Sequence, residues 1–380
     1  MNLLEEFYIT IWDAEFNIQG IIDTIETLEI VKNLNKTGTF TLTVPLTSEY
    51  IKLLKIGNLI TKSNNANESN FLEPYIITYK QISINSDGVE TLEIQGKSLL
   101  YWLKSRVITK SYNTTDTIEN ILNTLVNAEC INPIDPHRII PNLSINPTNN
   151  YTDKTTFITQ SQYTELLSTL TSIAQLNYYG IQILMNPQES QYIFEVYKGK
   201  DRTLDNSEDN NVLIFSSNLN NIMSETFTHS TVNLQTTAYV YGTLSDSKNT
   251  PELVIVGEEA TGLDRIEVGV SGSDPTINGE QFNLTESNYK QIMTAVGEQT
   301  LANAEITKSF DGKLNMHAGL KYKLDFNIGD KISCINNSWD LNESLFITSV
   351  TEQYSTQGQQ ISLGFGIPLP TILEKINSIY

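Results

Sequence analysis

Catalysis at neutral pH needs nucleophiles, bases or metal ligands held close together, and this chain supplies few of them. It has three histidines, His137, His229 and His317, and two cysteines, Cys130 and Cys334. No histidine has a second His or Cys at metal-ligand spacing. Cys130 and His137 are the nearest pair, in a proline-rich stretch. A nucleophilic Cys–His site is the sharp reading of that pair; an ordinary loop histidine beside an incidental cysteine is the one we adopt. Asp205, Ser207 and Asp209 alternate as in a calcium loop, but the following Gly and the distal bidentate Glu are not in place, so a solvated acidic loop is expected. Glu258 and Glu259 offer further carboxylates, and two distant carboxylates could form a glycosidase pair. No aromatic-flanked carboxylate singles itself out. HExxH, GxSxG, GxGxxG and GxxxxGK[ST] are all missing. Among the 18 tyrosines, Tyr75, Tyr79, Tyr101, Tyr178 and Tyr179 fall at expected strand ends. They would suit a sugar platform, but Tyr also favours half-buried pleated surfaces, and packing is the reading preferred. The expectation is a protein without catalytic, cofactor-binding or metal-binding residues, and not an enzyme.

Length and charge narrow the class further. The chain has 380 residues, 39% hydrophobic and 18% charged, which suits two or three folded domains. The net charge of −20 disfavours a nucleic-acid surface, which needs clustered Lys and Arg. Two cysteines are too few for a disulfide scaffold, and free, buried thiols are expected. The N-terminus has no basic and apolar signal-peptide pattern, and no apolar run approaches the roughly 20 residues of a membrane span. The expected compartment is a cytoplasm.

The elements that would carry any site are mostly strands. Alternating runs predict strands over 7–12, 16–22, 25–32 and 40–44, the last stopped by Pro45. Residues 48–54 read as one helical turn and 57–62 as a strand. Residues 74–84 and 89–95 form a hairpin across the Asp87-Gly88 turn. A helix is predicted over 116–128, capped by Asp116 with Glu119, and a second over 162–175 through Tyr163, Leu166, Leu167, Leu170 and Ile173. Residues 132–153 read as irregular. Strands follow over 178–185, 191–197, 212–215, 221–227 and 236–241. Residues 245–279 read as an insertion with β-like runs at 253–256 and 265–270. A third helix covers 288–304, and a short amphipathic tail 371–379. A loose two-fold theme runs through the chain. Gly57-Asn58-Leu59-Ile60, then Tyr75-Ile76-Ile77 and a hairpin, echoes Gly329-Asp330-Lys331-Ile332, then Phe346-Ile347-Thr348 and a hairpin. It suggests two similar β modules.

The C-terminal stretch 324–370 runs from Gly329-Asp330 through a strand ending in Ile347-x-x-Val350 to Gly364-Phe365-Gly366 and a proline. With Gly38-Thr39-Phe40-Thr41-Leu42 to Pro45, Gly57-Asn58, and Gly96-Lys97-Ser98-Leu99-Leu100 to Leu103 and Arg106, it resembles bacteriophage tail-hub proteins. These are the trimeric baseplate hub of contractile tails and the hub part of tail-associated lysins. The order and spacing of these pieces touch most of the chain. The resemblance implies a mainly β fold with a few helices: two tube-like β-barrel domains interleaved in sequence, plus a smaller inserted α+β region. It implies a first barrel over 1–110, helices and a second β domain over 111–243, a β insertion over 244–285, and a helix with barrel-completing strands over 286–380. The implied function is a homotrimeric ring that adapts a hexameric tail tube to a trimeric spike or fibre, with the tape measure protein as a possible further partner. DNA would pass through its lumen, where negative charge keeps it from sticking. The implied place is the tail of a virion or tail-like particle assembled in the bacterial cytoplasm. Lysin-type hubs continue into a peptidase or fibre region. This chain stops at Tyr380, soon after Pro370, which favours a stand-alone hub and with it a contractile tail, prophage or tail-like bacteriocin. The alternatives are an all-β receptor- or glycan-binding module and a peptidoglycan hydrolase with scattered carboxylates.

Overall fold

The computed structural model describes residues 7–366, except 65–70, 85, 87, 111, 147–148, 150, 152–154, 161–162, 176–177, 208–209, 245–249, 273–275, 278–279, 282–285 and 305. The predicted tail over 371–379 and Asp209 lie outside the described residues. The chain is mainly β with a few helices, as its alternating patterns require.

The first module holds β1 (Phe7–Trp12), β2 (Ile18–Ile22), β3 (Thr27–Asn33), β4 (Thr39–Pro45), helix α1 (Ser48–Leu53), β5 (Leu59–Asn64), β6 (Tyr75–Ile84) and β7 (Glu90–Ser98). Alternation places Ile9, Ile11, Leu28, Phe40, Leu42, Val44, Ile77, Leu92 and Ile94 in one core. Thr47 caps α1 by accepting from the Tyr50 N–H.

The next unit contains α2 (Tyr101–Lys104), β8 (Tyr112–Thr117), α3 (Ile118–Val126), β9 (Leu143–Ile145), β10 (Thr155–Gln160), α4 (Leu166–Gln175), β11 (Gly180–Asn186) and β12 (Gln191–Tyr197). Its core joins Ile121, Leu122 and Leu125 to Leu166, Leu170, Tyr179 and Phe194. Three expectations are corrected here. Asp116 does not cap α3; it belongs to β8, and Thr117 is the cap, accepting from the Asn120 N–H. Tyr163 does not share the inward face of α4: it precedes the helix, is exposed and has a φ of 64°. The stretch 132–153 is not all irregular, because β9 pairs in parallel with β12.

After β13 (Ile214–Phe215) and β14 (Ile222–Ser230) comes a small α/β unit. It holds β15 (Thr237–Leu244), β16 (Thr250–Val256), β17 (Glu267–Ser271), the short β18 (Thr276–Ile277) and β19 (Glu280–Gln281), and α5 (Glu286–Ala302). Strand β15 lies between β16 and β17. Tyr289 and Met293 of α5 pack on Ala238 and Val240 of β15.

The last module is β20 (Thr307–Leu314), β21 (Lys331–Asn336), β22 (Leu341–Ser355) and β23 (Gly358–Gly366), with β13 and β14. Phe215, Phe310, Phe326, Ile332, Ile347 and Phe365 fill its core. One open sheet runs β14-β20-β23-β22-β3-β4-β7-β6-β5-β1-β2, with β21 and β13 attached beside β22. The resemblance implies two barrels, but no sheet closes among the described residues: strands of the first and last modules pair into one sheet.

Strand β22 makes that junction. Its first half pairs with β21, and residues 349–355 pair with β3. A bulge between Ile347 and Ser349 separates the halves. An extra residue shifts which side chains face inward. Leu341, Leu345 and Ile347 are buried before the bulge, and Val350 and Tyr354 after it.

Candidate assembly site

The structure does not assemble the sequence's chemical candidates. Cys130 is fully buried, and burial pushes its thiol up to about 12. The His137 side chain is almost wholly exposed, and its Nδ1 lies 2.8 Å from Asp135. Cys334 is buried in a different core, its thiol also raised by burial, so the cysteines are separate and free. Glu258 and Glu259 are exposed on a turn. No group of three His, Cys, Asp or Glu among the described residues could hold a metal. Tyr75 and Tyr179 are core residues. Tyr178 stacks on Phe346 with ring centroids 4.0 Å apart. Tyr79 is exposed, its hydroxyl donating to Gln81.

What the fold does build is a repeated corner. Gly57 and Gly329 have φ of 92° and 94°, a region glycine enters freely. The Gly57 N–H donates to Ile77 O at 2.9 Å, and the Ile77 N–H returns to Asn58 O at 2.9 Å. At the other end Gly329 N–H donates to Ile347 O at 2.8 Å, and Ile347 N–H returns to Asp330 O at 2.9 Å. Each corner is followed by a bulge, between Ile77 and Tyr79 in β6 and between Ile347 and Ser349 in β22. The two-fold theme of the sequence is therefore a repeat of strand, corner, bulge and hairpin in the structure.

The second corner also anchors the preceding unit. Asp330 is buried, and its carboxylate accepts from Lys200 N at 2.8 Å, Arg202 Nε at 2.8 Å and Asn327 N at 3.0 Å. Such charge-assisted bonds are the strong ones. The backbone approaches so closely that a Cβ on Gly199 would lie 2.0 Å from Gly329 C.

Charge bonds close the seam between the modules. Glu73 lies 2.6 Å from Lys32 of β3 and 3.2 Å from Lys323. Lys62 of β5 reaches Glu352 of β22 at 2.8 Å and bonds the Tyr354 hydroxyl. The Phe7 and Tyr354 rings meet with centroids 4.5 Å apart, although β1 and β22 are far apart in the sheet order. The sheet must therefore curl to bring its distant strands together. Burial alone would raise the Glu73 and Glu352 carboxyls. The Lys32 and Lys323 charges overcome this at Glu73, and Lys62 and Lys323 at Glu352, so both carboxyls sit below the usual range. Burial would lower Lys323, but Glu73 and Glu352 raise it. None of these residues was singled out from sequence, because each partner lies on another element and no local spacing links them.

The seam has unmatched counterparts. Among the described residues, β6 pairs beyond its bulge with β7 alone, and β14 pairs only with β20. Ile82 and Ile84 of β6 are 51% and 65% exposed. An open strand edge with apolar side chains is a ready surface for another chain.

The Siphovirus ReqiPepy6 Gp37-like protein family matches residues 8–367. The chain belongs to this family. Solved tail proteins share its fold. A tail protein from Neisseria meningitidis MC58 is 12% identical over 95% of this chain and 96% of that one, with a TM-score of 0.55. The 43 kDa tail protein of prophage MuSo2 from Shewanella oneidensis is 12% identical over 95% and 97%, with a TM-score of 0.54. Prophage tail protein gp18 from Listeria monocytogenes EGD-e is 12% identical over 98% of each chain, with a TM-score of 0.51. Among curated proteins none matches the sequence. Family and fold are those of phage tail proteins, as the sequence resemblance implies. No helix among the described residues is long and apolar enough to cross a membrane.

Proposed function

We propose that the protein is the hub of a phage tail or tail-like particle, in which three copies form a ring between a sixfold tail tube and a threefold spike or fibre. The observation that carries this reading is the internal repeat of corner, bulge and hairpin at Gly57 and Gly329. Three copies of a chain with two similar modules present six similar surfaces to a hexameric tube and three to a trimeric partner. The role is geometric and non-enzymatic. The match of residues 8–367 to a phage tail protein family supports that.

On this reading the tube protein docks above and the spike or fibre below, with the tape measure protein as a further neighbour. The units are a first β module over 1–110, a helical and β unit over 111–243, an insertion over 244–285, and 286–380 completing the second module. The ring forms in the bacterial cytoplasm, and its −20 charge per chain repels DNA passing through the lumen. A second reading, receptor or glycan contact, draws support from the α/β unit, where Tyr241 and Leu253 face each other across β15 and β16 and are 55% and 54% exposed. Light scattering of the purified chain, alone and with its tail-tube protein, tests the hub. A mass three times the 42.7 kDa chain, rising with added tube protein, is expected. A monomer that ignores the tube protein and binds a glycan array would favour the second reading.

A further inference from the structure

The seam within the chain shows what covers the open edge of one repeat. Beyond its bulge, β22 lies against β3, with Glu352 facing Ile30 and Val350 facing Lys32. Each repeat also holds the counterpart of the other's seam strand, and among the described residues neither counterpart has a strand on that edge. The register identifies them. Ile77 faces Gly96 on β7 as Ile347 faces Phe365 on β23, so Tyr79 matches Ser349, Ile82 matches Glu352 and Ile84 matches Tyr354. Phe40 faces Gly96 as Phe310 faces Phe365, so β4 matches β20. Ile30 faces Phe40 as Phe227 faces Phe310, so β3 matches β14 and Ile30 matches Phe227.

Burial follows the same logic. Val350 and Tyr354, covered by the seam, are 1% and 5% exposed. On β6, Ile84, which matches Tyr354, is 65% exposed, and Ile82, two residues before it on the same face, is 51% exposed. Neither residues 79–84 nor residues 225–230 contain a proline that would block a ladder. The two edges are different surfaces. Joining them is a head-to-tail contact, which generates a ring or an open filament rather than a closed dimer.

We propose that residues 79–84 of β6 in one copy pair antiparallel with residues 225–230 of β14 in a second copy. Ile82 then faces Phe227 of the partner subunit, and Lys80 faces His229 of the partner subunit. The contact between chains repeats the contact within the chain, so β strands continue from copy to copy. Closure at three copies rests on the hub reading above; the strand contact rests on the repeat alone.

Cysteine cross-linking tests the register. Gln81 and Thr228 lie on the outward faces of the two strands and would be opposed. Gln81→Cys mixed with Thr228→Cys should yield a cross-linked dimer under mild oxidation, at least tenfold more than Gln81→Cys mixed with Thr226→Cys. The double variant should give a ladder ending at three chains. A trimer by light scattering without the Thr228 cross-link, or with Thr226 preferred, overturns the pairing and leaves the hub reading standing. A ladder running past three chains supports the pairing and overturns the hub ring. A monomer with no cross-link overturns both. Ile82→Lys, at an exposed position, should keep the native circular dichroism and raise the concentration needed for assembly at least tenfold. Unchanged assembly of that variant also overturns the pairing.

Discussion

Replacing Asp330 with alanine removes a buried side chain that ties the Gly329 corner to the unit before it. Its carboxylate serves three donors, Lys200 N, Arg202 Nε and Asn327 N, at 2.8, 2.8 and 3.0 Å. The Asp330 and Arg202 side chains are only 3% and 13% exposed, so water replaces the lost partner poorly. Breaking a buried pair by removing one member costs about 3–5 kcal/mol. With a urea slope of about 2–3 kcal/mol per M, the midpoint should fall by about 1–2.5 M. Urea unfolding should be followed by Trp fluorescence and far-ultraviolet circular dichroism, because a chain with several cores need not unfold in one step. Trp339 reports the C-terminal module, and Trp12 and Trp102 the others. Asp330→Ala combined with Arg202→Ala should cost less than the two single losses added, because each single change already breaks the same pair. A midpoint for Asp330→Ala within about 0.3 M of wild type, the size of an ordinary surface substitution, would refute the anchoring role.

Three further outcomes are expected. Both native thiols should resist a thiol reagent at pH 8 until denaturant is added, because burial raises Cys130 to about 12 and Cys334 further; rapid labelling of the native protein would contradict the burial. Glu73 and Glu352 have folded pKa values below their unfolded value of about 4.3, so their stabilisation is complete above that value and is lost as pH falls through the folded values. Thermal stability should therefore show no step from these groups between pH 8 and about pH 5, then fall in acid, with a smaller acid loss in Glu73→Gln; equal acid loss in that variant would count against the pair. Gly199→Ala should destabilise by about 1–3 kcal/mol, since its Cβ would meet backbone of Gly329 and Asp330 that cannot rotate away; a midpoint equal to wild type in urea would show that the corner relaxes freely.

Much of the fold could be read from local pattern. Strict alternation at Phe40, Leu42 and Val44 gave a strand at its true place, and the paired Gly57 and Gly329 segments gave the repeat. The spacing Ile347-x-x-Val350 is itself the mark of the bulge, since an odd step between two buried residues requires an extra residue. What stayed hidden depends on distant partners. The three residues of β9 become a strand only through β12, and α5 finds its sheet on β15, far back in the chain. Asp116 satisfied the capping pattern, yet Thr117 sits where the backbone turns into the helix. Cys130 and His137, near neighbours in sequence, are not brought together in space: one is in a core and the other in solvent. The seam residues Lys62, Glu73, Lys323 and Glu352 carry no local signature, because pairing across a curled sheet leaves no spacing to find.

The central claim is a three-copy ring at the end of a tail tube. Cryo-electron microscopy of the intact particle, with this subunit located by a fused tag, tests it most directly. The account predicts three copies around the tail axis, six similar β modules facing the tube, and one continuous strand contact between neighbouring copies. A particle with six copies, or with this subunit on a peripheral fibre away from the axis, would contradict it.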